Sequence, residues 1–187
     1  MRIAPALLVA ALASACGPGP TGPPPVGAVD MTQAVVLTVQ LGTIADPAQA
    51  DSAFVALVDG QDATLVEGAQ GGFHVWLKLR VAGGPRALTL AKTAYRVSDN
   101  ALVLRTTGAL LQVGAPGPGG TWELPTATPM FMCPSPIGIK VIDTPIRYEI
   151  TLSDGAATVA HGQVTLTPHC PAAPADTAAF CNRICVG

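Results

Sequence analysis

The chain has 187 residues, with 10 Lys and Arg against 12 Asp and Glu and a formal net charge of −2. Its basic residues are scattered rather than clustered, which excludes the electrostatic footprint of a nucleic-acid binder. Charged residues are 12% of the chain, about half the usual share, while Gly (20) and Pro (18) are abundant; few charges, many turn formers and recurrent β-branched residues point to sheet rather than helix.

The chain opens with Met1-Arg2-Ile3, an apolar run over 4–15, and then Cys16 followed at once by Gly and Pro. A charged start, a short apolar stretch and small residues before a cysteine make a bacterial export signal ending in a lipid-attachment site. The run is too short to span a bilayer, which needs about 20 apolar residues. Leu12-Ala13-Ser14-Ala15-Cys16 resembles the bacterial lipobox, in which a peptidase recognises small residues ahead of an acylated cysteine. The departure is Ala13, which stands where the family carries Leu, one residue earlier here. Ala13-Ser14-Ala15 also fits an ordinary A-x-A cleavage site. Cysteine parity decides between the two: five cysteines are odd for an oxidising compartment, and lipidation of Cys16 leaves an even set. The resemblance implies a lipoprotein anchored in the bacterial cell envelope, with the outer membrane as the expected site and residues 1–15 as signal peptide. Residues 16–32 are then anchor and linker. Within them Gly-Pro-Gly-Pro-Thr-Gly-Pro-Pro-Pro-Val over 17–26 can build neither ladder nor helix and reads as a semi-stiff spacer of about 3 Å per residue.

Val35, Leu37, Val39 and Leu41 alternate with Val36, Thr38 and Gln40, the period of a strand with one buried face, so the domain is expected to begin near residue 33. Short strands over 54–58 and 63–66 flank a tight turn at Asp59-Gly60. Gln70-Gly71-Gly72 opens the clearest strand, 73–81, with Phe73, Val75, Leu77, Leu79 and Val81 on one row and His74, Trp76, Lys78 and Arg80 on the other. Strands over 88–97 and 101–106 meet at Ser98-Asp99-Asn100, another runs over 110–113, and residues 114–120 are a Gly/Pro loop. Beyond Trp122 come strands over 137–142, 145–152 and 156–167, the last two joined at Ser153-Asp154-Gly155. Ile146, Tyr148, Ile150 and Leu152 share a face. Helical periodicity is absent outside the export signal except for a short turn capped by Asp176 or Thr177 over 178–183. Short strands without crossover helices imply antiparallel pairing. The expected fold is an all-β, two-sheet antiparallel sandwich over 33–170, with a β-barrel as the alternative, and a cysteine-containing tail over 171–187.

The segment from Tyr148 through Ser153-Asp154-Gly155 to Leu166 resembles the final hairpin of immunoglobulin-like domains of bacterial envelope proteins. Gln70-Gly71-Gly72-Phe73-His74-Val75-Trp76 is similar to stretches in bacterial lipoproteins of no assigned function. These resemblances imply a fold and a setting, and no reaction.

Cys133, Cys170, Cys181 and Cys185 are expected to form two disulfides that pin the tail, with three pairings open. The rival is a thiolate metal site aided by His169, but Cys181 and Cys185 stand in C-x-x-x-C spacing with no second pair. Met130 and Met132 could offer soft ligands to Cu(I) beside a histidine; against that, Met fills irregular core gaps, and Pro129 and Pro134 mark an edge or loop. The His74, Trp76, Lys78, Arg80 row is settled by parity. Burying its apolar counterpart is worth about 1.5 to 3 kcal/mol per large side chain, so Trp76 is expected on the outer face. There it could stack on a sugar or hold an anion between basic residues, unless a loop covers it. No nucleophile elbow, zinc-protease helix, P-loop or dinucleotide fingerprint occurs, and non-local carboxylate pairs, such as Glu67 with Glu123, are left open. The sequence thus points to a non-catalytic structural or interaction module without cofactor. Its expected partners are the membrane, through the anchor, and an envelope protein or glycan. A copper-binding lipoprotein and a hydrolase with a dispersed site are the alternatives.

Overall fold

The computed structural model describes residues 37–155 and 157–187, so the export signal, Cys16, the linker and Val35 and Val36 lie outside the described residues. Eleven strands and one helix follow in order: β1 (Thr38–Ile44), β2 (Phe54–Ala56), β3 (Gln61–Thr64), β4 (Val66–Glu67), β5 (Phe73–Ala82), β6 (Arg86–Arg96), β7 (Leu102–Val113), β8 (Thr121–Glu123), β9 (Thr128–Cys133), β10 (Ile146–Asp154), β11 (Ala157–His169) and α1 (Ala175–Ile184). They form a two-sheet sandwich, not a closed barrel. One sheet is built around β5, which pairs with β1, β4, β8 and β9, with β2 outside β1. The other runs β3-β11-β10-β6-β7.

The core follows from the period-2 rows. Phe73, Val75, Leu77, Leu79 and Val81 of β5 are all buried, as are Ile146, Tyr148, Ile150 and Leu152 of β10 and Val164 and Leu166 of β11. Each such side chain stabilises the fold by about 1.5 to 3 kcal/mol on transfer from water, and a one-residue slip of β5 would expose all five at once. β8 and β9 lie along β5 as two pieces of one interrupted strand, opposite residues 80–82 and 73–77 respectively.

The structure departs from the sequence reading in that the strand expected over 63–66 is split between β3 and β4 in different sheets, that β8 and β9 form where no strand was expected, and at four further places. Asp59-Gly60 does not close a hairpin: β2 pairs with β1, whereas β3 pairs in parallel with β11 in the other sheet. The turn docks on β11 instead, where Thr165 N–H donates to Asp59 Oδ1 at 2.7 Å and Gly60 N–H donates to the Thr165 carbonyl at 2.8 Å. The two expected strands over 101–106 and 110–113 are one strand, β7, with a register shift against β6 where Gly108 takes φ +85°, a conformation that costs a side chain but not glycine. Residues 137–142 form no strand. Their region is held by the tail, through Ser135 N–H to the Ile184 carbonyl and Val141 N–H to the Cys185 carbonyl, both at 3.0 Å. Finally, α1 starts earlier than expected, after Pro174, with no side-chain cap; Asp176 lies in its first turn and Arg183 in its last, both favourable to the helix dipole.

Two disulfides hold this tail, Cys133–Cys185 from β9 to the end of α1 and Cys170–Cys181 from β11 to its middle. Cys181 and Cys185 are fully buried, and Phe180 packs its ring 5.9 Å from Phe73. A ten-residue helix is marginal alone; crosslinks contributing about 2–4 kcal/mol each keep it in place. Unreduced, denatured protein in which Cys16 is replaced by Ser is therefore expected to show no free thiol by mass-resolved alkylation. Two reactive thiols would contradict the pairing.

Candidate functional site

The outward row of β5 carries His74, Trp76, Lys78 and Arg80, as parity requires, but most of that row is not open to solvent. The β1–β2 connection, residues 45–53, crosses it. Asp46 stiffens this connection by accepting the Ala48 N–H at 2.9 Å, and the Asp46 N–H donates to Ser52 Oγ at 3.0 Å. Trp76 Nε1 donates to the Pro47 carbonyl at 3.2 Å, and Lys78 Nζ donates to the Ser52 carbonyl at 2.7 Å. Lys78 also pairs with Glu123 at 2.9 Å, Arg80 Nε reaches the other Glu123 oxygen at 3.0 Å, and the Arg80 guanidinium lies 4.0 Å over the Phe54 ring. Burial works to raise the Glu123 pKa, but hydrogen bonds and charge from Lys78 and Arg80 outweigh it and hold the carboxyl below its ordinary value. Lys78, 2% exposed, is committed to Glu123 and the Ser52 carbonyl, whereas Arg80 gives Glu123 only its Nε and keeps a side chain 38% exposed.

His74 is the anomaly of the row. It is 4% exposed, its ring meets the Trp76 edge at 4.4 Å and Phe131 at 5.7 Å, and neither ring nitrogen has a hydrogen-bond partner among the described residues. Desolvation lowers its pKa, so the ring is neutral at pH 7. It lies in a cleft of about 330 Å³ shaped by Glu67, Gly68, Gln70, Trp76 and Phe131. On the far side of Trp76 a second cleft, about 620 Å³, runs between Pro47, Thr64, Pro174 and Thr177. Glu67 and Trp76 line both. Trp76 is partly exposed, and Phe131 is 49% exposed on the same face.

The soft-ligand set does not assemble. Met130 and Met132 are buried in the core, where Tyr148 Oη donates to Met132 Sδ at 2.9 Å. In the β5–β9 register Val75 stands opposite Met130 and His74 opposite Phe131, so the thioethers and the imidazole occupy opposite faces of the sheet. His169 is elsewhere, on β11, with Nδ1 2.8 Å from Asp143 and Nε2 3.0 Å from Asp62. The sulfurs of Cys170, Cys181 and Cys185 lie within 4.8 Å of one another, but as members of the two disulfides. Glu67 and Glu123 do not form an acid pair: they oppose Phe73 and Arg80 respectively, seven residues and about 23 Å apart along β5.

The sequence reading missed Lys92 and the covering connection. Lys92 lies on the core-facing row of β6 and crosses to the other sheet, donating to Thr128 Oγ1 at 2.6 Å and the Pro129 carbonyl at 2.8 Å, with burial lowering its pKa. A lysine between Leu90 and Ala94 on an otherwise apolar row was the available signal.

No protein-family model matches the chain, and no curated protein matches it. Among solved structures, a Bacteroides fragilis protein assigned as a beta-galactosidase is similar over 70% of this chain and 17% of its own, at 14% identity and a TM-score of 0.38. A likeness of that size carries no argument about fold or function.

The Asp62–His169–Asp143 stitch ties β3, β11 and the loop before β10, and its pH response has a definite sign. Hydrogen bonds donated by the His169 ring to Asp62 first and Asp143 second raise the His169 pKa, so its contribution is complete below 6.5 and is lost as pH rises through the raised value. Asp143 is held below 3.8, chiefly by the His169 hydrogen bond, so its share is complete above 3.8 and is lost on further acidification. Chemical denaturation of His169→Ala and wild type at pH 5.5 and pH 9 tests this. The stability deficit of the variant is expected to be larger at pH 5.5, and modest because the groups are solvent-screened; an equal or larger deficit at pH 9 would contradict the assignment.

Proposed function

We propose that this protein is a lipid-anchored, non-catalytic interaction module of the bacterial cell envelope, built on an immunoglobulin-like sandwich and contacting its partner through the outer face of β5 around Trp76. The observation that carries the reading is the placement of Trp76. It is the one partly exposed large aromatic of the β5 row, it is held by its indole N–H to the Pro47 carbonyl, and it divides two clefts that share Glu67. A rigid, amphipathic ring with a fixed polar end is the kind of side chain that anchors binding surfaces. The anchor rests on the Cys16 signal, and the disulfide-stapled tail suits an oxidising compartment. A copper-binding reading would require Met130 and Met132 to leave the core.

Cys16→Ser is expected to move the protein from the membrane to the soluble fraction, and unchanged membrane retention would contradict the anchor. The released full-length protein should still cosediment with washed cell envelopes, and Trp76→Ala and the surface change Phe131→Ser should each reduce that retention severalfold with the fold intact by circular dichroism. Retention equal to the parent in both variants would contradict the placement of the contact surface.

A further inference from the structure

Arg80 is fixed at two points. Its Nε donates to Glu123 Oε2 at 3.0 Å, and its guanidinium lies 4.0 Å over the Phe54 ring. The ring reaches that place because Gly42, opposite Lys78 in the β1–β5 register, has no side chain; a Cβ there would overlap the ring atoms. Glycine weakens a strand interior and is found where another group must come close. Holding a long side chain in this way costs conformational entropy, and what it leaves presented is the terminal edge of the guanidinium. Nη1 and Nη2 have no acceptor among the described residues, and the side chain is 38% exposed.

Arg80 lines a cleft of about 620 Å³ between β8 and the Gly/Pro loop over 114–120. Gln40, its cross-strand neighbour on β1, lies at one side, and Pro118 and Trp122 supply apolar walls. The loop keeps a fixed path: Gly117 N–H donates to the Thr121 carbonyl at 2.9 Å, and Gly114 lies where a Cβ would come 2.8 Å from Trp122 Nε1.

The charges decide the ligand class. Both Glu123 oxygens are taken, Oε1 by Lys78 at 2.9 Å and Oε2 by Arg80 at 3.0 Å, so an incoming cation finds no free carboxylate. Two cations against one carboxylate leave this triad one positive charge in excess, which a monoanion balances and a dianion exceeds. A neutral ligand leaves the guanidinium edge to water. The paired N–H groups of that edge match the two oxygens of a carboxylate, the bidentate geometry that gives arginine its specificity.

We infer that this cleft binds a monocarboxylate ligand, its carboxylate received by Nη1 and Nη2 of Arg80 and its apolar body lying against Pro118 and Trp122. A volume of about 620 Å³ is that of a small-molecule site. Arg80 stands four residues, about 13 Å, from Trp76 along β5, and the site does not rest on the contact surface proposed there.

The test is a nitrogen-15 NMR titration of the full-length Cys16→Ser protein with benzoate, hexanoate and indole-3-acetate to millimolar concentration, each against its neutral primary amide. At least one acid should move the Gly117 and Gly119 amides and the Trp122 indole N–H saturably, and bind about tenfold or more tightly than its amide. Arg80→Lys keeps the charge and loses the fork; it should weaken binding about tenfold or more, with the fold intact because Glu123 retains Lys78. If that variant does not fold, the Arg80 side-chain N–H resonances of the parent decide: they should shift with the acid and not with its amide. No saturable shift for any acid, an amide that binds as its acid does, Arg80→Lys binding equal to the parent, or unmoved Arg80 resonances each overturn the inference. Phenyl phosphate binding more tightly than benzoate overturns the choice of a monoanion. Envelope retention of Trp76→Ala bears on the contact surface alone.

Discussion

Strand β5 is buried on its inner face and partly covered on its outer one, and the remainder of the structure is arranged to permit it. One face is the apolar row that fills the space between the sheets against β10 and β11. The other carries one aromatic and three side chains that would ordinarily seek water. One of these, Lys78, is made compatible with burial by Glu123 from β8 and by carbonyls of the 45–53 connection, and the partly exposed Arg80 shares the same carboxylate. A lysine at 2% exposure is tolerable only with such partners, because an unpaired buried charge costs several kcal/mol. The β1–β2 connection and the interrupted β8–β9 edge are thus coupled to the same strand through its polar side chains as well as its backbone.

The C-terminal tail completes the scaffold by a different means. Where β5 is held by burial, α1 is held by covalent bonds to β9 and β11, and it returns the favour by supplying carbonyl acceptors to the irregular segment after Cys133. Residues 134–144 therefore acquire a defined path without strand pairing. Loop and helix stabilise each other across the end of the sandwich, with Phe180 closing the core over Phe73.

The parts of this organisation that could be read in the sequence are those governed by local period. The rows of β5 and β10 alternate without interruption, so the sandwich, the inward face of each and the outward placement of Trp76 followed from parity. Asp59-Gly60 misled because a turn that closes a hairpin and one that crosses between sheets share the same residues; the difference lies in Thr165, more than a hundred positions away. The strand expected over 137–142 failed for a similar reason: Val141 and Ile142 are buried as a strand residue would be, but their cover is the tail. In the candidate site, the row itself was legible, whereas the pairing of Lys78 and Arg80 with Glu123 and the isolation of His74 were not, since each depends on which distant residues fold over the strand.

His74 is buried, desolvated and without a hydrogen-bond partner among the described residues. Nitrogen-15 NMR of the histidine rings over a pH series reads this directly, with three histidines to assign. His74 is expected to titrate below the ordinary value of 6.5 while His169 titrates above it. A His74 ring that titrates at or above 6.5 would show it solvated or paired with an acceptor and would contradict its isolation in the fold.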